Sequence, residues 1–274
     1  MTDSDSKIAL VTGAASGIGL ATAYELATRG YDLLLVDRDA EGLAQAEAEV
    51  RGRGRRAESF VVDLADKAAI AQLADQAWER FGHVDLLFNN AGVLCFGTVA
   101  RMSLEDWEWI VDVNLWAPIR LTRALLPRMQ ARGTGRIAVT GSAAGLFSMP
   151  GLAAYSVTKR AMVAFCEALR AEVSQHGISV TVACPTLIKT NLAQGGRYAS
   201  EADQKTGSTT FSGDRGMPVD KAARLIVDGI ERGQGHVVFG GGARPLWWID
   251  RASPAAAHLV RRGMLHFFER QGRS

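Results

Sequence analysis

The sequence predicts an α/β fold: a doubly wound, parallel, seven-stranded sheet with helices on both faces, built as a single domain. Three observations predict it. Short runs rich in Val, Ile, Leu and Phe alternate with longer helical patterns along the chain, as in a sheet covered on both sides. A glycine-rich turn follows the first apolar run directly and opens a helical stretch. One strand after another also ends in residues that turn chemistry alone does not require: Thr12-Gly13, Asp37, Asp63, Asn89-Asn90-Ala91-Gly92, Ser142 and Pro185. In an open α/β sheet, ligands bind outside the carboxyl ends of the strands, so chemistry should collect there.

Composition narrows the classes. With 274 residues, 47% of them hydrophobic, the chain can bury a sizeable core as one large domain. Lys+Arg 31 against Asp+Glu 29 leaves only +2, which argues against a nucleic-acid binder driven by bulk electrostatics. Cys95, Cys166 and Cys184 are odd in number, far apart and outside any Cys-x-x-Cys spacing, and the histidines lack ligand spacing. Neither a disulfide framework nor a metal is expected, and the cytoplasm is the expected compartment. The polar stretch from Met1 to Lys7 leads into the first strand without an apolar signal segment. Residues 137–158 are uncharged and long enough to span a bilayer, but Gly141, Gly145, Pro150 and Gly151 divide them into a strand, a loop and a helix start.

The first strand is expected over residues 8–12. After it, Gly13, Gly17 and Gly19 stand in a G-x-x-x-G-x-G spacing, permitting a tight turn and close backbone approach, while the following helix start offers free N–H donors to a pyrophosphate. Ser16 and Ile18 lie in the same turn. The second strand, 32–37, ends in Asp37, eighteen residues beyond Gly19. A carboxylate there accepts from both adenosine ribose hydroxyls and repels a 2′-phosphate, which favours NAD. Arg38 leaves NADP open, because a guanidinium can meet that phosphate. Asp39 fits the N-cap of a helix over 41–51, and the cluster Arg51, Arg53, Arg55 and Arg56 sits at its far end, where cations favour the macrodipole.

Further strands are expected over 57–63, 84–89, 136–141, 179–183 and 236–239. Ser142 follows the fifth strand, thirteen residues before Tyr155. Pro150-Gly151 leads into a long helix over 152–173 that carries Tyr155 and Lys159 four residues apart, hence on one face. A Tyr phenol, with an ordinary pKa of about 10, is a poor base at neutral pH unless a fixed cation stabilises the phenolate. Lys159 can supply that cation, so Ser142, Tyr155 and Lys159 read as a proton-transfer site.

These residues resemble the short-chain dehydrogenase/reductase family from about Lys7 to Gly242: Thr12 to Gly19, Asp63, Asn89 to Gly92, Asn114, Ser142, Tyr155 with Lys159, and Pro185 with Thr190. The resemblance implies a Rossmann-type dinucleotide-binding and catalytic domain over 1–242. It implies that Tyr155 is the acid/base in hydride transfer between a secondary alcohol or ketone and a nicotinamide, and that Ser142 hydrogen-bonds the substrate oxygen. Lys159 would bind the nicotinamide ribose and lower the tyrosine pKa, and Asn114 would hold a water in the proton relay. Gly13, Ser16, Ile18, Asp63, Leu64, Asn90, Ala91, Gly92 and Val113 occupy cofactor-contact positions, followed after the sixth strand by Pro185, Thr186, Ile188 and Thr190, the last at the carboxamide-binding position. Thr186 departs from the pattern, standing where a glycine is usual, and its Cβ limits how closely the backbone approaches the nicotinamide.

Substrate identity is less legible. Residues 191–216 are polar and Gly/Ser/Thr-rich, and read either as a lid or as an unstructured loop. Leu94 and Leu152, with Phe96, Leu146, Phe147 and Met149, are pocket candidates that lean toward an apolar alcohol or ketone. The extension 243–274 mixes Leu246, Trp247, Trp248, Leu259, Phe267 and Phe268 with six arginines against Asp250 and Glu269, a net of about +4. Residues 246–268 are expected to be buried against the domain or a partner subunit in a homodimer or homotetramer; a membrane-surface helix is the alternative. Activity has its own alternatives, an NADP(H)-dependent carbonyl reductase or a dinucleotide-binding sensor or scaffold without turnover.

Overall fold

The structure is a computed structural model that describes residues 6–211 and 216–271, with side chains as far as Leu265. Strands β1 (Lys7–Thr12), β2 (Tyr31–Asp37), β3 (Ala57–Val61), β4 (Leu86–Asn89), β6 (Gly135–Thr140), β7 (Ile178–Pro185) and β9 (His236–Phe239) form one sheet in the order β3-β2-β1-β4-β6-β7-β9. Every pairing in it is parallel. All seven stand where the sequence placed them, with ends shifted by no more than two residues. From β1 the chain moves out to β2 and β3, then returns to lay β4 on the other side of β1. That reversal opens a crevice beyond the carboxyl ends of β1 and β4.

The strands are apolar on both faces because both are covered. Ala9, Val11, Leu33, Leu35, Leu86 and Phe88 pack against helices α1 (Gly17–Thr28), α2 (Ala40–Gly52) and α9 (Val219–Glu231). Their alternating neighbours Leu10, Leu34, Leu87, Ile137 and Val139 meet α3 (Lys67–Phe81), α5 (Ala117–Arg132) and α7 (Ala153–Val173) on the opposite face. Each fully buried leucine in these layers contributes about 2 kcal/mol. Local chemistry fixes the helix ends: Asp39 accepts from Glu41 N and Gly42 N at the start of α2, and Asp66 accepts from Ala68 N and Ala69 N at the start of α3. Helix α3 stops where Gly82 takes a φ of 76°, a conformation that favours glycine.

Residues 191–216 contain more order than the lid-or-loop expectation allowed, though 212–215 lie outside the described residues. Strand β8 (Arg197–Tyr198) pairs with the short β5 (Cys95–Phe96), and α8 (Glu201–Thr210) follows with Ser200 accepting from Asp203 N at its start. Phe96 and Phe211 meet edge to face with centroids 5.9 Å apart, pinning α8 over β5. Two-residue strands are too short for an alternating pattern, so composition alone did not reveal them.

In the extension, α10 (Ala243–Ala252) and α11 (Pro254–Gln271) fold back on α7, β9 and the short α6 (Ala143–Leu146). Within the single chain, burial over 246–265 is only partial. Ala257 is buried and Trp247 stacks on His236 at 5.7 Å, but Trp248 and Leu259 remain 64% and 66% exposed. They lie on the outer faces of helices whose inner faces do the packing. The side chains of Phe267 and Phe268 lie outside the described residues. Among the described residues, no helix is long and apolar enough to cross a membrane.

Candidate active site

The carboxyl ends of the central strands open into one cavity of about 640 Å3. Its floor at one end is the glycine turn, where Gly13 and Gly17 adopt φ values of 68° and 55°. A methyl group on Gly19 would lie 2.0 Å from the Gly13 carbonyl oxygen, so the turn closes directly on the start of α1 and Gly19 sits beneath the cavity wall. Asn90 ties this turn to its neighbours. Its Nδ2 donates to Thr12 O at 3.0 Å, and its Oδ1 accepts from Thr140 Oγ1 at 2.9 Å. Asn90 N and Ala91 N in turn donate to Thr12 Oγ1. The ends of β1, β4 and β6 are thereby held at a fixed spacing. Ser16 precedes α1 without a side-chain cap bond, leaving the helix's first N–H groups facing an open, glycine-lined cradle suited to a pyrophosphate.

Asp37 stands across from that cradle. Its carboxylate accepts from Ala15 N at 3.1 Å and Arg38 N at 2.7 Å, while Arg38 is exposed at the rim without an ion-pair partner among the described residues. Ser16, Ile18, Asp63, Leu64, Asn90, Ala91, Gly92 and Val113 line the same cavity, and Pro185, Thr186, Ile188 and Thr190 bring the end of β7 to it. The Thr186 hydroxyl occupies the space a side chain at position 240 would fill: a methyl on Gly240 would lie 1.8 Å from Thr186 Oγ1. The bulk that replaces the family's glycine is thus taken up against Gly240.

Tyr155 and Lys159 project from α7, and Ser142 caps α6 by accepting from Ala144 N at 3.1 Å. Ser142 and Tyr155 line the same cavity, and the serine hydroxyl acts to lower the phenol's pKa. Lys159 is 4% exposed; its Nζ donates to Thr140 O at 2.8 Å and lies 5.7 Å from the Tyr155 ring centroid. Burial pushes the phenol up to about 12, against the lowering effect of the Ser142 hydroxyl. Burial likewise pushes Lys159 down to about 8. A net lowering of the tyrosine pKa, expected from Lys159, is not found, because burial raises the phenol further than its neighbours lower it. At neutral pH the phenol therefore holds its proton, and the lysine is poised to gain or lose its charge.

Two expected pocket contacts, those of Phe96 and Leu146, fall elsewhere, and Asn114 stands behind the cavity. Asn114 lies behind Gly92 on a π-helical turn, Asp112–Trp116, between α4 (Leu104–Val111) and α5. Its Oδ1 accepts from Val93 N at 2.8 Å, and its Nδ2 donates to Val93 O at 2.9 Å and Thr158 Oγ1 at 3.3 Å. Both amide hydrogens are therefore taken by protein partners. Phe96 and Leu146 do not line the cavity: Phe96 packs in the β5–α8 cluster and Leu146 in the main core. Leu94, Leu152, Phe147 and Met149 do line it, joined by Leu192, Phe211 and Leu246, which the sequence had not placed in the pocket. Leu246 comes from the extension, beyond the reach of any motif. The π-helical turn also had no sequence signal.

A family model described as short chain dehydrogenase matches residues 7–200. SadH of Mycobacterium tuberculosis is 36% identical over 274 residues, covering 98% of this chain and 99% of its own. A short chain dehydrogenase/reductase from Burkholderia phymatum in complex with NAD superposes with a TM-score of 0.83 at 29% identity, covering 92% of this chain and 95% of that one. A short-chain dehydrogenase from Sphingobium yanoikuyae in complex with NADPH gives 0.77 at 28% identity, covering 93% and 95%.

Proposed function

The chain belongs to the short-chain dehydrogenase/reductase family of NAD(P)-dependent oxidoreductases, and on that footing we propose that it interconverts an apolar secondary alcohol and a ketone, with NAD(H) as the preferred cofactor. One observation carries the reading: the Ser142–Tyr155–Lys159 group and the glycine cradle with Asp37 open on the same cavity. The α1 start, Asp37 and the 185–190 segment would hold the dinucleotide, whose nicotinamide would supply the hydride. Tyr155 supplies the proton to a carbonyl oxygen, Ser142 steadies that oxygen, and Lys159 stabilises the phenolate left behind. Asn114 fixes Val93 and Thr158 beside them. The apolar end, formed by Leu94, Phe147, Met149, Leu152, Leu192, Phe211 and Leu246, excludes water and favours an apolar substrate. A screen of alcohols and ketones with NADH and NADPH, followed by nicotinamide absorbance, tests the assignment; no turnover with any of them would overturn it.

The protonation states give a pH dependence. Ketone reduction needs Tyr155 protonated and Lys159 charged. The phenol, raised to about 12, keeps its proton throughout the working range, whereas the lysine, lowered to about 8, loses its charge above that pH. The expected kcat for reduction therefore falls as pH rises through about 8. A profile that stays flat across that region would count against the role of Lys159.

Cofactor preference rests on Asp37. Removing a charged acceptor of ribose hydroxyls costs about 1.5–3 kcal/mol, roughly tenfold to a hundredfold in NADH affinity. Asp37→Ala should weaken NADH by that factor and strengthen NADPH, because the unpaired Arg38 then meets the 2′-phosphate without an opposing carboxylate. Tighter NADPH than NADH binding by the unaltered protein would reverse the assignment in favour of an NADP(H)-dependent reductase.

A further inference from the structure

The extension contains a charged cluster that the proposed reaction does not use. Asp250 on α10 is 15% exposed and receives two guanidinium groups: Arg160 of α7 donates to its Oδ2 at 2.9 Å, and Arg261 of α11 donates to its Oδ1. Both arginines continue to one turn of backbone. Arg160 also donates to Leu146 O at 2.8 Å, and Arg261 Nε donates to Ser148 O at 3.0 Å. Between those carbonyls stands Phe147, with the Arg261 guanidinium 4.5 Å from its ring centroid. Phe147 and Met149 form part of the apolar cavity wall, as does Leu246, one helical turn before Asp250.

The chemistry explains why this arrangement holds. Helix α6 spans only Ala143–Leu146, and its last carbonyls lack intrahelical partners. Leu146 O is satisfied by Arg160 instead of by a continuing helix. Two guanidinium groups brought together would repel each other; the shared carboxylate removes that cost. Burial by itself would raise the Asp250 pKa, but the bonds from Arg160 and Arg261 outweigh it and hold the carboxyl below its usual range. An isolated surface pair contributes little. Here one carboxylate orients two planar donors, each of which has a second, backbone acceptor.

We propose that Asp250 is a positioning residue for the substrate wall, fixing the 146–149 turn through Arg160 and Arg261 and making the C-terminal helices part of the specificity device. The proposal builds on the reading of the cavity's apolar end as the substrate site. The function assigned to the Asp250 carboxylate is to hold Phe147 and Met149 in place against bulky apolar substrates. Small ketones, which touch less of that wall, depend on it less.

Asp250→Asn keeps the size of the side chain and removes the charge that unites the arginines. Two measurements on the full-length variant test the proposal. With NADH as cofactor, KM for the bicyclic ketone tetralone is expected to rise about tenfold, with a smaller rise for butanone and unchanged NADH affinity. By hydrogen exchange, the amides of 146–149 should exchange at least tenfold faster while those around Tyr155 stay protected. Asp250→Glu should recover much of both effects. A purely structural role would instead lower the melting temperature and reduce kcat equally for both ketones. That pattern, or unchanged exchange over 146–149, would overturn the proposal. If the unaltered protein reduces neither ketone while the exchange result appears, the substrate reading fails and the anchoring of the turn stands.

Discussion

Tyr155→Phe should abolish turnover, lowering kcat by about a thousandfold or more, while leaving nucleotide affinity and thermal stability close to those of the parent. General acid catalysis by a positioned side chain is worth about 10²–10⁴-fold, and here the phenol and Ser142 open on the same cavity. The ring, only 8% exposed, fills its space in the variant as before. Lys159 keeps its bond to Thr140 O, so the floor beneath the nicotinamide end is unchanged. On the proposed mechanism, what disappears is the proton donor beside Ser142. The check is steady-state kinetics beside an NADH fluorescence titration. Turnover near the parent level would remove Tyr155 from the chemistry, and a parallel loss of NADH binding would make the phenol a structural element of the cofactor site.

The seven strands and the glycine turn were legible because their physics is local. A fully covered parallel strand must be apolar on both faces, so 32–37 and 136–141 read as strands without reference to anything distant. The glycines at 13, 17 and 19 also carry a local requirement, two of them through positive φ and one through contact with the Gly13 carbonyl. Asp37 and Ser142 were legible by position, each placed at the end of such a strand. The remainder depends on what meets what across the chain. Leu246 reaches the cavity only because the extension folds back over α6, and Arg261 finds Ser148 across more than a hundred residues of sequence. Strand β8 exists through its pairing with β5. The Tyr155 pKa illustrates the same limit from the energetic side. The spacing of Tyr155 and Lys159 shows that a cation is near, but only the folded environment shows that burial sets the net direction of the shift.

Gly19→Ala should disable the cofactor site through one methyl group. The added Cβ would lie 2.0 Å from the Gly13 carbonyl oxygen, 2.7 Å from the Gly13 carbonyl carbon and 2.5 Å from Asn90 Nδ2. Two of those atoms are backbone, so no side-chain rotation relieves the contact. The third is the amide that joins β4 to the turn by donating to Thr12 O. Relief must come from moving the 13–16 turn away from the start of α1, which separates the N–H groups that converge on the cradle. Overpacking of this kind costs about 1–3 kcal/mol in stability, and a displaced turn also loses its bonds to the pyrophosphate. The expected outcome is a melting temperature lower by several degrees and NADH affinity reduced at least tenfold, a larger loss than Tyr155→Phe causes in binding. Alanine at Gly52, where a Cβ meets nothing within 4 Å, is the matched control and should change neither quantity. If Gly19→Ala binds NADH as the parent does, the turn has room to adapt, and the cradle is not set by the contact between residues 13 and 19.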